Sequence, residues 1–385
     1  MKIAVAKESE ACERRVALVP DTVTQLVKNG LEVLVESGTG ERTFFTDADY
    51  EKAGAIIVKQ TKHLWAEADI LLKVSPPRKR DDGILEVDLL KQGAILIGFL
   101  NPLGNPGLAQ ILAERQVTAL SMEMVPRTTR AQSMDALSSQ ASIAGYKAGL
   151  IAAAALPKYF PMLTTAAGTI APAKVFVMGA GVAGLQAIAT TRRLGAIVEA
   201  FDIRPSVKEE VQSLGARFVE VQLEEETATA GGYAKEISEA SKKSSQQVVT
   251  DHVKNSDVVI TTAQVPGKKA PLLITREMVL QMKKGSVIID LAAEQGGNCA
   301  CTDPGKDIIV NGVNIIGPIN LPSSMPVHAS QLYAKNITSL IRLLIKDKDL
   351  QVDFNDDIIN AVCITHAGKI HSPLIQELLS VTSAG

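Results

Sequence analysis

The chain is 385 residues long, 46% hydrophobic and 21% charged, which suggests two globular domains with ample core material. Its 40 basic and 42 acidic side chains leave a formal net charge of -2, so no overall field draws it to nucleic acid or anionic lipid. Four scattered cysteines, Cys12, Cys299, Cys301 and Cys363, match a reduced cytosolic protein; with no second cysteine pair and no local histidine cluster, no metal site is expected.

The opening Met1-Lys-Ile-Ala-Val-Ala is not a signal peptide, because no apolar run of adequate length follows the charge. It reads as a strand over residues 3–6. A helix over 21–29 follows, with Val23, Leu26 and Val27 on one face and Gly30 as its stop. Strands are expected at 31–36, 69–74, 94–99 and 117–121, and Asn105-Pro106 reads as an N-cap and first residue of a helix ending near Arg115. This βα alternation predicts a mostly parallel sheet with helices on both faces. Residues 135–156 read as a long helix rich in Ala and Gly. Its apolar stretch is broken by Tyr146 and Lys147 and falls short of the about 20 residues that span a bilayer. A soluble chain is therefore expected, one that something else must anchor if it works at a membrane. A second α/β block runs from about Lys174 to about Pro318, with the polar stretch 238–247 as a solvated helix face. A long helix over 323–346 and a short tail close the chain. The expected fold class is α/β: two Rossmann-like domains with parallel sheets, the second inserted into the first and joined to it by long helices. Residues 1–135 plus 320–385 would form the discontinuous N-terminal domain, and 136–319 the second domain.

The strongest local signal lies at the start of the second block. The apolar run Lys174-Val-Phe-Val-Met leads into Gly179-x-Gly181-x-x-Gly184, and an Ala-rich helix follows. Gly179 would make the tight turn, Gly181 and Val182 would let backbone approach a pyrophosphate, and Gly184 would let helix and strand pack closely. The next strand ends at Asp202, eighteen residues beyond Gly184, where a carboxylate accepts hydrogen bonds from an adenosine ribose and repels a 2′-phosphate. That favours NAD(H) over NADP(H), with Ile203 lining the site; Arg204 keeps the alternative open, because an Arg can accommodate that phosphate. Thr262, Ala263 and Gln264 end a further strand on the same crevice. Asp290 and Glu294 follow the next, as polar contacts or as solvated loop acids.

The order of parts resembles two related families. Lys7-Glu8 with Arg15-Val16-Ala17-Leu18, the strand Leu71-Leu72-Lys73-Val74 and the late Rossmann block are similar to alanine dehydrogenase and to proton-translocating nicotinamide nucleotide transhydrogenase, across nearly the whole chain. Three segments favour the transhydrogenase family: Arg127-Thr-Thr-Arg130-Ala-Gln132-Ser133-Met134-Asp135 with Ser138-Ser139-Gln140, the run Thr229-Ala-Gly231-Gly232-Tyr233-Ala-Lys235-Glu236, and Val182-Ala-Gly184-Leu-Gln186-Ala. Alanine dehydrogenases carry a histidine after the strand matching 94–100, where this chain has Leu100-Asn101-Pro102, while Lys73 does match that family's substrate lysine. An amino-acid dehydrogenase remains the alternative reading. The chemistry points the same way as the motifs. Oxidising an amine requires a positioned base, whereas hydride passage between two nicotinamides moves no proton at the reacting carbon.

The resemblance implies a set of roles. Arg127 would contact the nicotinamide side or a partner, Gln132 would bridge toward a second nucleotide, and Asp135 and Ser138 would orient the nicotinamide carboxamide. Gly232 and Tyr233 would belong to a mobile loop that closes over the cofactor. The plainer readings are a helix-entry cap for Ser133 or Asp135 and a surface aromatic for Tyr233. The family further implies NAD(H) on this chain and NADP(H) on a partner domain, with direct hydride transfer between them. It also implies a membrane-embedded proton-channel subunit, a homodimer, and a peripheral place on the cytoplasmic side of the inner membrane.

Overall fold

The computed structural model describes residues 1–220, 239–346 and 349–383. The chain forms two compact units, residues 1–140 with 322–385 and residues 141–321. Among the described residues, no helix is long and apolar enough to cross a membrane.

The first unit is built on an eight-stranded sheet. Its spatial order is Lys369–Ile370, Cys363–His366, Thr118–Ser121, Ile95–Gly98, Ile70–Leu72, Lys2–Val5, Glu32–Glu36 and Ile56–Val58. The six strands that come first along the chain run parallel. Parallel sheets are covered on both faces, and the side chains show it. Ile3 and Val5 enter one core with Tyr333, Ile337 and Ile341 of the helix Pro326–Leu344, whereas Ala4 and Ala6 enter the opposite core with Trp65 and Leu112. The chain leaves Lys2–Val5 for one edge and returns to its other side at Ile70–Leu72, so the topological switch point lies between these two strands.

The expected short tail does more than close the chain. Cys363–His366 pairs antiparallel with Thr118–Ser121 and covers what would otherwise be the sheet's edge. No alternation marks this segment in the sequence, because its strand is buried on both sides.

The second unit carries a seven-stranded sheet in the order Arg217–Phe218, Ile197–Phe201, Lys174–Met178, Val258–Thr261, Val287–Asp290, Val313–Ile316 and Asp307–Val310, with only the last strand antiparallel. Val175 and Val177 face one core, Phe176 and Met178 the other. Its switch point lies between Lys174–Met178 and Val258–Thr261. The Ala/Gly composition of the helix Ala136–Ala155 has a local cause. A Cβ on Gly145 would stand 2.0 Å from the Ala183 carbonyl oxygen, so only glycine lets this helix pack so close to the helix Val182–Arg193. The polar stretch near 240 falls within the helix Glu239–Asn255.

Candidate functional site

In the second unit, the strand Lys174–Met178 delivers the chain to Gly179 at φ +100°, a conformation open to glycine and costly for other residues. A Cβ there would stand 2.4 Å from Thr262 Oγ1, and one on Gly184 would stand 1.9 Å from the Gly179 carbonyl oxygen. Both glycines are thus required by the fold of the turn itself. Gly181 differs: among the described residues, a Cβ there would meet nothing within 4 Å. It is the N-cap of the helix Val182–Arg193, and no side chain among the described residues caps that helix end. The first-turn amides therefore keep their donor capacity and the positive end of the helix dipole, the arrangement that holds phosphate. A glycine that the fold does not need, set at an uncapped helix end, fits a dinucleotide pyrophosphate.

The neighbouring strand ends frame this turn. Asp202 lies against it, its carboxylate taking the Ala180 amide at 2.7 Å, the Arg204 amide at 2.9 Å and a bidentate fork from Arg204 at 2.9 and 2.7 Å. A carboxylate has about four acceptor positions, so all are filled. The Arg204 guanidinium is held above its ordinary pKa, first by this bond to Asp202. Ile203 is half-buried beside the pair. Thr262 donates its hydroxyl to the Gly179 carbonyl at 3.1 Å and so braces the glycine turn. Ala263 exchanges hydrogen bonds with the side chain of Asn298, at 3.1 and 2.9 Å, and the exposed Gln264 donates to the Leu291 carbonyl at 2.8 Å. Asp290 is not a solvated loop acid. It is fully buried and collects the Thr261 and Thr302 hydroxyls and the amides of Ala292, Asn298 and Cys299. It shapes the loop that carries Asn298, a residue whose only sequence signal is the turn composition Gly296-Gly297-Asn298.

In the first unit, the segment from Arg127 to Ser138 runs over the surface through the 3-10 turn Thr129–Met134 into the long helix. Ala131 and Met134 are buried, and Arg127, Gln132 and Ser133 are exposed. Asp135 caps the helix: its carboxylate accepts the Ser138 amide at 2.8 Å and the Ser138 hydroxyl at 2.5 Å. Each oxygen thereby spends one acceptor position and retains another, so capping and a further polar contact are compatible. The mobile-loop expectation, including Gly232 and Tyr233, lies outside the described residues.

Lys73 and Arg15 belong to a second polar group in the same unit. Lys73 is fully buried, with Nζ 3.3 Å from Glu8 and 3.1 Å from Glu86, and it lies 5.7 Å from the centre of the Trp65 ring. Burial pulls its pKa down, but the two carboxylates outweigh burial and the ammonium ends above its ordinary value. Burial likewise pushes the Glu8 carboxyl up, against the pull of Lys73. Arg15 forks onto Glu13 at 2.8 and 2.7 Å and donates to Gln140 at 2.9 Å.

Two family models together match most of the chain: the "Alanine dehydrogenase/PNT, N-terminal domain" over residues 4–144 and the "Alanine dehydrogenase/PNT, C-terminal domain" over residues 148–373. Among curated proteins, the chain is 44% identical over 372 residues to "NAD(P) transhydrogenase subunit alpha" of Haemophilus influenzae, covering 96% of this chain and 71% of that one. A Rhodospirillum rubrum chain named as the first portion of the same alpha subunit is 46% identical over 380 residues, covering 97% and 99%. "Alanine dehydrogenase 2" of Staphylococcus aureus is 32% identical, covering 93% and 90%. Among solved structures, the transhydrogenase of Sinorhizobium meliloti superposes with a TM-score of 0.84 at 41% identity, covering 97% of this chain and all of that one.

Proposed function

The chain belongs to the alanine dehydrogenase/PNT family, and from that premise we propose that it is the NAD(H)-binding subunit of a proton-translocating NAD(P) transhydrogenase. The observation that carries the reading is the uncapped helix end at Gly181, with open space where its Cβ would be. Residues 136–319 form the NAD(H)-binding domain. There Gly179 and Gly184 shape the turn, and Gly181 and Val182 receive the pyrophosphate. Asp202 accepts from the adenosine ribose by giving up a bond now made by Arg204, with Ile203 beside it. Thr262, Ala263 and Gln264 line the neighbouring strand end.

Bound NADH supplies a hydride that passes directly to NADP+ held by a partner domain. The chain's own residues orient and shield that exchange rather than move a proton. Asp135 and Ser138 hold the carboxamide, Gln132 faces the incoming nucleotide, and Arg127 contacts the nicotinamide side or the partner. A membrane-embedded proton-channel subunit couples the exchange to proton translocation. The protein acts as a homodimer, peripheral on the cytoplasmic side of the inner membrane. An amino-acid dehydrogenase reading needs Lys73 for its substrate, and here that ammonium is buried 3.3 Å from Glu8 and 3.1 Å from Glu86.

The test is hydride exchange between NADH and an oxidised NAD analogue in the presence of a purified NADP(H)-binding domain. Exchange that depends on the partner supports the assignment. NADH oxidation by pyruvate plus ammonium without any partner overturns it in favour of an amino-acid dehydrogenase.

A further inference from the structure

The exposed pair Gln132–Ser133 stands between fixed neighbours. On one side the Arg130 guanidinium forks onto Asp356, Nη1 to Oδ2 at 2.7 Å and Nη2 to Oδ1 at 2.8 Å, and also meets Asp357. Asp356 in turn caps the helix Asp357–Val362, accepting the Ile358 amide at 2.9 Å and the Ile359 amide at 3.3 Å. On the other side Asn336, from the helix Pro326–Leu344, donates to the Ser133 carbonyl at 2.9 Å and accepts the Ser139 hydroxyl at 2.7 Å. The buried Ala131 and Met134 complete the hold from below. A short surface turn is thus tied to two helices that lie about two hundred residues later in the chain, at separations of 226 and 203.

Stability does not account for this arrangement. Arg130 is half exposed, and ion pairs in such a setting add little to folding. The helix after Asp356 is capped whether or not Arg130 is present. What a planar fork on a carboxylate does fix is orientation, because two parallel bonds admit one geometry where a single point charge admits many. That orientation is imposed two residues from Gln132, and the Asn336 amide imposes a second on the adjoining peptide.

We propose that the Arg130–Asp356 fork and Asn336 are positioning groups: together they set the direction in which Gln132 leaves the surface. This rests on the reading of Gln132 as the residue that faces the second nucleotide. A misplacement of about 1 Å at a reacting centre costs up to roughly a hundredfold in rate, so a side chain presented from a surface loop gains much from such a clamp.

The experiment compares wild type, Asp356→Asn, Arg130→Gln and the double variant in the NADH-to-analogue exchange with the NADP(H)-binding domain. NADH affinity and the thermal melt are measured alongside. Asparagine caps a helix as well as aspartate does, so Asp356→Asn removes the charge and keeps the helix. The expected result is a hydride-transfer rate lowered roughly tenfold or more, with NADH affinity within about twofold of wild type, and a double variant no slower than either single one. Asn336→Asp, which keeps the acceptor and removes the donor to Ser133, is expected to lose rate in the same way. A folded Asp356→Asn that exchanges hydride at the wild-type rate overturns the clamp alone. Loss of NADH affinity, or single losses that multiply in the double variant, also overturns it. A wild type that exchanges nothing removes the functional reading as well.

Discussion

The two units share one architecture and treat the carboxyl ends of their strands in opposite ways. In the first unit, the chain beyond the switch-point strands carries Glu8 and Lys73, and these two with Glu86 fill the place with buried charges of opposite sign. In the second unit, the corresponding strands lead to Gly179 and Thr262, and no side chain among the described residues caps the helix end beside them. A parallel sheet offers a crevice at its switch point in either case. Whether that crevice binds anything depends on what the loops put into it: side chains that pair internally close it, and bare backbone donors keep it open.

That contrast can be broken at its most expensive point first. Lys73→Met leaves two buried carboxylates facing each other and is expected to destabilise the protein by about 3–5 kcal/mol in urea unfolding. A loss below about 1 kcal/mol would mean that the cluster is wetter than its burial implies. The complementary change in the second unit is Gly181→Ala. Its methyl group meets no atom of the described residues, so the melt should stay where it is, while NADH affinity falls about tenfold because the pyrophosphate cradle has been filled. Unchanged affinity in calorimetric titration would show that phosphate does not rest there.

A smaller effect is expected at the ribose. Asp202→Ala should weaken NADH binding by a few-fold and narrow the preference over NADPH. An affinity ratio identical to wild type removes Asp202 from the selection of cofactor. The smallest effect on stability belongs to the surface pair that serves as a control for Lys73. Arg130 holds the Asp356 carboxyl down to about 2, below its ordinary value of 3.8. A depressed carboxyl contributes fully above pH 3.8 and loses its contribution as pH falls through about 2. NMR titration should place Asp356 near 2 in wild type and return it toward 3.8 in Arg130→Gln. A carboxyl that titrates alike in both would mean the fork does not form in solution.

What the sequence reveals of this molecule follows from the range of each interaction. The α/β class is legible because strand and helix periods are local, and the glycine turn because its three glycines fall within six residues, although the Thr262 that braces it does not. The buried trio is not: Lys73 stands out only as a family match, since Glu8 and Glu86 show their relation to it only once strands from separate stretches of the chain are side by side. The same holds for Asp290, whose five donors come from both sides of its own strand end, and for the fork that joins Arg130 to Asp356. The strand Cys363–His366 escapes a sequence reading because a short segment buried on both faces shows no alternation. Asp202 can be placed at the end of its strand, but nothing in the sequence indicates that Arg204 occupies all its free acceptor positions.

The partner strand that covers Thr118–Ser121 has a cost during synthesis. The bond from the Ala119 amide to the Thr365 hydroxyl joins residues 246 positions apart. At roughly 5–20 residues per second, a ribosome needs on the order of ten seconds or more to produce the second partner after the first. For that time a nascent sheet presents a row of unpaired amides and carbonyls beside whatever else is being translated nearby. Slowing the ribosome lengthens that exposure and should lower the yield of folded protein.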